Sequence, residues 1–251
     1  MKTSRHVMIT GSNGGIGKSL IKKFLYEGYA VVATIRKDNS DFSDWCLSLI
    51  EETGARLSCE LLNLDDAALA QNQMREILKK YPELSHLINN AAMAFGATIL
   101  MTSIKSFRQV FEVNMISQFA ISQIFAKHIL RARSGSITSI SSISTKFPLP
   151  GTFAYGSSKL ALEYMTRVLE KELASTEIKV GAVMLGLVDT RMLSQMDSIS
   201  INTMTSLSDI KSVLSATQAA EIVFSHAFEK ECMCSDVIHC VSEVDVANSD
   251  N

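Results

Sequence analysis

Short apolar runs rich in β-branched residues alternate along this chain with longer stretches whose apolar positions recur at helical spacing. HVMIT (6–10) reads as a buried strand, and GIGKSLIKKFLYEG (15–28) sets Ile16, Leu20, Ile21, Phe24 and Leu25 on one helical face before Gly28 ends it. Further strands are predicted at AVVATI (30–35), ARLSCELL (55–62), HLINNAA (86–92), SITSIS (136–141), KVGAVML (179–185) and SDVIHCV (235–241). Helices are predicted over 43–52, about 66–80, about 103–132, 153–174 and 216–229. Strands that alternate with helices need crossover connections, which make a largely parallel sheet with helices on both faces. The expected fold is therefore α/β, a doubly wound three-layer sandwich around a mostly parallel seven-stranded sheet, with residues 1–251 as one domain. The stretch from about 187 to 213 breaks the rhythm. It is rich in Ser, Thr and Met, and its place between a strand and the last helix favours a substrate lid, with a variable surface loop as the other reading.

Composition narrows the partners. The 251 residues are 47% hydrophobic with a formal net charge of −2, so there is no broad basic footprint for nucleic acid and no polybasic run for an anionic membrane surface. MKTSRHVMIT leads directly into a glycine-rich turn without the apolar stretch of a signal peptide, and no apolar run approaches the roughly 20 residues of a membrane-spanning helix. A soluble, cytoplasmic protein is expected. Cys46, Cys59, Cys232, Cys234 and Cys240 form no CxxC pair, and the histidines form no HExxH. No metal site is expected, and the thiols read as small core hydrophobes.

TGSNGGIG (10–17) follows the first strand and opens the first helix, the context in which a glycine-rich loop holds phosphate. Gly11 can turn the chain sharply, Gly15 lets backbone approach a pyrophosphate and Gly17 lets the helix pack closely, while the helix N-terminus offers free N–H groups and a positive dipole. In dinucleotide folds a residue about 20 positions further on selects the cofactor, an acid for a ribose 2′-hydroxyl or an Arg for a 2′-phosphate. Here the second strand ends TIRK, so Ile35 takes the acid's place and Arg36 follows, with Lys37 beside it. That pattern prefers NADP(H) without excluding NAD(H).

Tyr155 and Lys159, in YGSSK, stand one turn apart on one helical face. An ammonium beside a phenol favours phenolate, which would bring the tyrosine down from its ordinary pKa of about 10 and make it a proton donor and acceptor. Taken alone, the pair also fits a half-buried tyrosine with a solvated lysine.

In order, TGSNGGIG, NNAA (89–92), Asn114 in EVNMIS, SITSISS ending at Ser142, and Tyr155 with Lys159 resemble the short-chain dehydrogenase/reductase family, in its single-domain Rossmann-fold branch, over about residues 5 to 190. The thirteen residues from Ser142 to Tyr155 are the usual interval there. The resemblance implies that Tyr155 is general acid towards a carbonyl or base towards an alcohol, and that Lys159 lowers its pKa and hydrogen-bonds the nicotinamide ribose. It implies that Ser142 polarises the substrate oxygen and that Asn114 holds a water linked to Lys159 as a proton relay. Ser141 is the runner-up for Ser142, and Asn114 could instead bond a neighbouring backbone group. The resemblance also implies a cofactor cradle of Gly11, Ser12, Asn13, Gly15, Ile16 and Gly17, with Arg36 at the 2′ position. Asn63 and Leu64 would flank the adenine, Asn90 would support a ribose, and Val188 and Thr190, in LGLVDT, would meet the nicotinamide carboxamide.

The chain departs from the family in three places. Ala92 stands where glycine is usual, Leu185 where proline is usual before Gly186, and CVSEVDVANSDN replaces a glycine-rich ending. Leu185 keeps an N–H and frees φ, so another path into the lid is expected. The implied activity is NADP(H)-dependent hydride transfer between nicotinamide and a small-molecule carbonyl or secondary alcohol. A catalytically silent NADP(H)-binding sensor or scaffold is the alternative, and a methyltransferase would leave Tyr155 and Lys159 without a role. A homodimer or homotetramer through the helices at 103–132 and 153–174 is implied by the resemblance. Met192, Leu193, Met196, Ile199, Ile201 and Met204, with Phe95, Phe147 and Phe153, suggest a partly apolar pocket whose substrate is left open.

Overall fold

A computed structural model describes residues 5–191, 193, 213–229 and 238–241, with backbone alone at 229 and 238–241. Six strands, β1 (His6–Ile9), β2 (Ala30–Ile35), β3 (Leu57–Leu61), β4 (His86–Asn89), β5 (Gly135–Ser142) and β6 (Ile178–Leu185), lie in the order β3-β2-β1-β4-β5-β6, and β7 (Ile238–Val241) extends the sheet beside β6. Every neighbouring pair is parallel. The crossovers carry α1 (Gly15–Tyr26), α2 (Ser40–Thr53), α3 (Ala67–Lys80), α4 (Ile104–Phe111), α5 (Ser117–Ala132), α6 (Phe153–Glu172) and α7 (Ala216–Phe224). The expected doubly wound α/β architecture is the observed one.

Strand pleating decides which helix layer each residue meets. Val7, Ile9, Val31, Ala33, Ile88, Ile140 and Val183 pack with Leu20, Ile21 and Phe24 of α1, Phe42 of α2 and Phe224 of α7. Their neighbours Met8, Val32, Leu87, Ile137 and Val180 pack on the opposite face with Met74 and Ile77 of α3 and Phe125 and Ile129 of α5. Because both faces are covered, the strands read as continuous apolar runs. Phe24 and Phe125 are wholly buried, each contributing roughly 1.5–3 kcal/mol.

Helix boundaries follow local chemistry. Asn39, Asp66, Ser103 and Ser215 cap α2, α3, α4 and α7 by accepting from the N–H groups of Phe42, Leu69, Ser106 and Gln218. By contrast, α1 starts after Gly14 with no side-chain cap and no acid in its first turn, which leaves its N-terminal N–H groups open. The single helix expected over 103–132 is divided: a π turn, Glu112–Ile116, joins α4 to α5 and carries Asn114.

The sheet changes its winding direction between β1 and β4, and a crevice forms there outside the carboxyl ends of the strands. Onto this edge open the loops after β1, β4, β5 and β6. Of the expected lid, residues 192 and 194–212 lie outside the described residues. Its flanks are joined, since Leu214 N–H donates to the Leu187 carbonyl at 2.9 Å and Asp189 N–H donates to the Leu214 carbonyl at 2.8 Å, bridging Val188 to Leu214. Leu185 ends β6 opposite Ser142, so the chain enters this region as paired strand. Among the described residues no helix is long and apolar enough to cross a membrane, and no cluster of His, Cys, Asp and Glu could hold a metal.

Candidate active site

The loop after β1 is built so that only glycine fits at its turn. Gly11 has φ 65°, and a Cβ there would lie 2.7 Å from Cα of Ala91. A Cβ on Gly17 would lie 2.5 Å from the Gly11 carbonyl, so the close packing predicted for Gly17 is against the loop itself. Ser12 does not offer its hydroxyl to a ligand: Oγ donates to the Ile9 carbonyl at 2.8 Å and accepts from Thr34 N–H at 3.1 Å, bracing the loop on β2. Asn90 braces it on β4, with Nδ2 donating to the carbonyls of Thr10 at 2.7 Å and Gly11 at 3.2 Å. Asn13 and Gly15 are left exposed at the open end of α1, with Ile16 partly so. Thr190 closes the far side, its Cγ2 placed 3.2 Å from where a Gly15 Cβ would be.

Beside this loop lies a cleft of about 590 Å³. It brings together Ile16, Asn90, Ser142, Tyr155, Lys159, Val188 and Thr190, all expected at the site. Phe95, Ile143, Pro150, Leu187 and Leu193 make much of the remaining wall, with Ala92 and Leu185 at the departures from the family pattern. Phe147 packs behind the wall on Ile143 and Leu187. Phe153 is corrected: it leaves the cleft and stacks on Phe107, ring centroids 5.6 Å apart, because it begins α6 on the helix's outer side.

The Ser142 hydroxyl lies close enough to the Tyr155 phenol to lower its pKa, and Ser144 Oγ donates to Ser142 Oγ at 3.0 Å. Burial pushes the Tyr155 phenol above its usual range, and the Ser142 hydrogen bond offsets only part of that. The Lys159 side chain is buried, with Nζ donating to the Ile140 carbonyl at 2.7 Å and lying 6.0 Å from the Tyr155 ring centroid. Burial lowers its pKa to about 8, against the raising influence of Glu163. The solvated-lysine reading is therefore wrong. So is the expected depression of the tyrosine in this state: the ammonium faces a backbone carbonyl, and desolvation of the phenol dominates.

Glu163 was not among the predicted residues. It is 2% exposed, one turn beyond Lys159, and accepts hydrogen bonds from Ser141 Oγ and from Thr145 Oγ1, the latter at 2.9 Å. Those two residues bracket Ser142. Ser141 spends its hydroxyl on Glu163, which separates it from Ser142, whose hydroxyl faces Tyr155. The available signal was an acid continuing the buried i, i+4 face of Tyr155 and Lys159.

Asn114 is tied into the protein through both ends of its amide. Oδ1 accepts from Met93 N–H at 2.7 Å, and Nδ2 donates to the Met93 carbonyl and to Ser158 Oγ, each at 3.0 Å. It clasps the loop after β4 to α6, through a backbone partner distant in sequence and not a neighbouring one.

The remaining predicted residues lie towards β2 and β3, outside the cleft lining. Arg36 is exposed, 3.6 Å from the Asp65 carboxylate. Asn63 Oδ1 accepts from Asp65 N–H at 2.9 Å, shaping the turn after β3. Leu64 is corrected in part: its side chain is buried in the core, so only its main chain can flank a ligand. Cys46 is a core thiol as expected, whereas Cys59 is exposed.

A parallel doubly wound sheet, a glycine loop at its switch point and a Ser-Tyr-Lys cluster on the same edge define an α/β protein of the Rossmann type. A family model described as short chain dehydrogenase matches residues 5–199, and the chain belongs to that family of oxidoreductases. It is 31% identical over 189 residues to 3-oxoacyl-(acyl-carrier-protein) reductase FabG of Thermotoga maritima, covering 74% of each chain. It is 29% identical over 182 residues to L-xylulose reductase of Caenorhabditis elegans, covering 72% of this chain and 70% of that one. Among solved structures, ElxO with NADP bound superposes with a TM-score of 0.83 at 23% identity, over 97% of this chain and 99% of that one. A short-chain dehydrogenase from Sphingobium yanoikuyae in complex with NADPH gives 0.80 at 20% identity, over 97% and 92%.

Proposed function

We propose that this chain is an NADP(H)-dependent oxidoreductase that transfers a hydride between nicotinamide and a small-molecule carbonyl or secondary alcohol, with Tyr155 as proton donor or acceptor. The observation that carries the proposal is the convergence of Ser142, Tyr155, Lys159, Val188 and Thr190 on one cleft beside the uncapped N-terminus of α1. The open N–H groups of α1 and the Gly11 turn fit a pyrophosphate. Bound there, the nicotinamide supplies the hydride.

The protein's own groups divide the remaining work. Tyr155, protonated at neutral pH, is set to give its proton to a carbonyl oxygen or, in the reverse sense, to take one from an alcohol. Ser142, kept in place by Ser144, hydrogen-bonds the same oxygen as charge develops on it. Lys159 is mostly charged below its pKa of about 8 and replaces the proton's charge beside the phenol. With both Nδ2 hydrogens occupied, Asn114 serves a relay through the second lone pair of Oδ1 or the main chain of its π turn.

NADP(H) is preferred because the ion pair of Arg36 among the described residues is with an exposed carboxylate, a weak pairing that a 2′-phosphate would outcompete. Structure neighbours with NADP or NADPH bound support that choice. Exposed Phe119 on α5 and Leu160, Tyr164 and Val168 along one stripe of α6 support association of copies through these helices. The test is to mix the protein with NADPH or NADH and a panel of aldehydes, ketones and 3-oxoacyl thioesters and follow nicotinamide absorbance. Turnover with at least one carbonyl is expected. Tight NADPH binding without turnover across the panel would instead support the sensor or scaffold.

A further inference from the structure

Cys46 projects from the middle of α2, and Cys59 from the middle of β3, the strand at the free edge of the sheet. Their Sγ atoms are 3.2 Å apart, and Cys46 packs in a mostly apolar cluster with Phe42, Leu49 and Leu57, with the Lys18 ammonium lying over the Phe42 ring nearby. A disulfide is about 2.05 Å long, so closure needs the sulfurs to approach by only about an ångström. The pair is asymmetric. Cys46 is 3% exposed, whereas Cys59 is open to solvent. Either thiol can donate to the other; once Cys59 ionises, the Cys46 thiol donates to its thiolate, and this holds Cys59 below the ordinary thiol range against burial and the charge of Glu60. The same hydrogen bond, with burial, holds Cys46 above that range. The arrangement is that of an attacking thiolate with a resolving thiol already in contact.

We propose that Cys46 and Cys59 form an oxidative modification site that a peroxide closes to a disulfide, clasping α2 to the edge strand. In the first step the Cys59 thiolate attacks one peroxide oxygen; an S–O bond forms, the O–O bond breaks, and hydroxide leaves and takes a proton to become water. In the second, Cys46 loses its proton and its sulfur attacks the Cys59 sulfenic acid; the S–S bond forms, the S–O bond breaks, and the released hydroxide takes that proton as a second water. Two thiols give up two electrons in all, and the peroxide accepts them. A dithiol reductant reverses the reaction by thiol–disulfide exchange. The site is separate from the cleft, and its chemistry does not depend on the proposed hydride transfer.

The experiment treats the reduced, full-length protein with about one equivalent of hydrogen peroxide, blocks remaining thiols after unfolding, and maps peptides by mass spectrometry. A cross-linked pair of peptides carrying Cys46 and Cys59, lighter by about two hydrogens and restored by dithiothreitol, is expected, forming roughly tenfold faster than in protein unfolded beforehand. In Cys46→Ser, dimedone should trap a sulfenic acid on Cys59, while in Cys59→Ser the buried Cys46 should stay unlabelled. The cross-linked protein should also unfold a few degrees higher than the reduced one. Both thiols remaining free to alkylate, bridges chiefly to Cys232, Cys234 or Cys240, or a lowered unfolding temperature would each overturn the proposal.

Discussion

The Lys159 ammonium is held by the carbonyl of Ile140 at 2.7 Å, two residues before Ser142 on β5. One hydrogen bond thus fixes α6 against the strand that presents the serine. It also fixes the cation beside, and not on, the Tyr155 phenol. The pairing that looks like a two-residue device in sequence is a junction between a helix and a strand, with Glu163 anchoring the next turn to Ser141 and Thr145.

Burial of Lys159 gives a pH signature in stability. Its folded pKa of about 8 lies below the ordinary 10.5, so between those values the unfolded chain binds more protons and stability rises with pH. The cost of burying the charge is fully present below the lower value and is relieved as pH rises through the window. It amounts to about 3 kcal/mol at most. Denaturant unfolding of wild type and Lys159→Met across this window should show the variant's relative advantage shrinking towards high pH. A pH-independent difference would contradict the buried charge.

Arg36→Ala should weaken NADPH binding roughly 10- to 100-fold, the loss of charge-assisted hydrogen bonds to one phosphate, while NADH changes by no more than about twofold. Titration of nicotinamide fluorescence reads both affinities. Equal losses would show that Arg36 does not meet the 2′-phosphate.

Glu163→Ala leaves the buried Ser141 hydroxyl without its acceptor, which costs about 1–3 kcal/mol of stability, while Thr145 keeps the Ser142 carbonyl. Because those residues flank Ser142, kcat should fall roughly tenfold or more while NADPH affinity is kept. A variant as stable and as fast as wild type would remove Glu163 from the site.

Gly11→Ala adds a Cβ 2.7 Å from Ala91 Cα at a positive φ. A stability loss of about 1–3 kcal/mol and a much weakened NADPH complex are expected. Unchanged binding would mean that the loop does not cradle phosphate.

The fold was legible because strands buried on both faces leave unbroken apolar runs such as AVVATI, and because caps and glycines mark helix ends. Tyr155, Lys159 and Ser142 were legible because their spacing is local or fixed by one strand-helix connection. What escaped depended on tertiary direction. The π turn at Asn114 keeps Val110, Val113 and Ile121 buried on either side, so no break in hydrophobic period announces it. Leu64 and Phe153 have side chains whose direction is set by packing against α5 and α4, which their neighbours in sequence do not reveal. Cys46 and Cys59 meet only because β3 pairs beside β2 under α2.

The central claim is that Tyr155 transfers the proton, and Tyr155→Phe tests it most directly, because it removes one oxygen and leaves the ring that packs in the cleft. NADPH affinity and NADPH-dependent carbonyl reduction should be measured side by side for wild type and variant. The account predicts unchanged cofactor affinity with turnover reduced by roughly 100-fold or more. Turnover within a fewfold of wild type would contradict it.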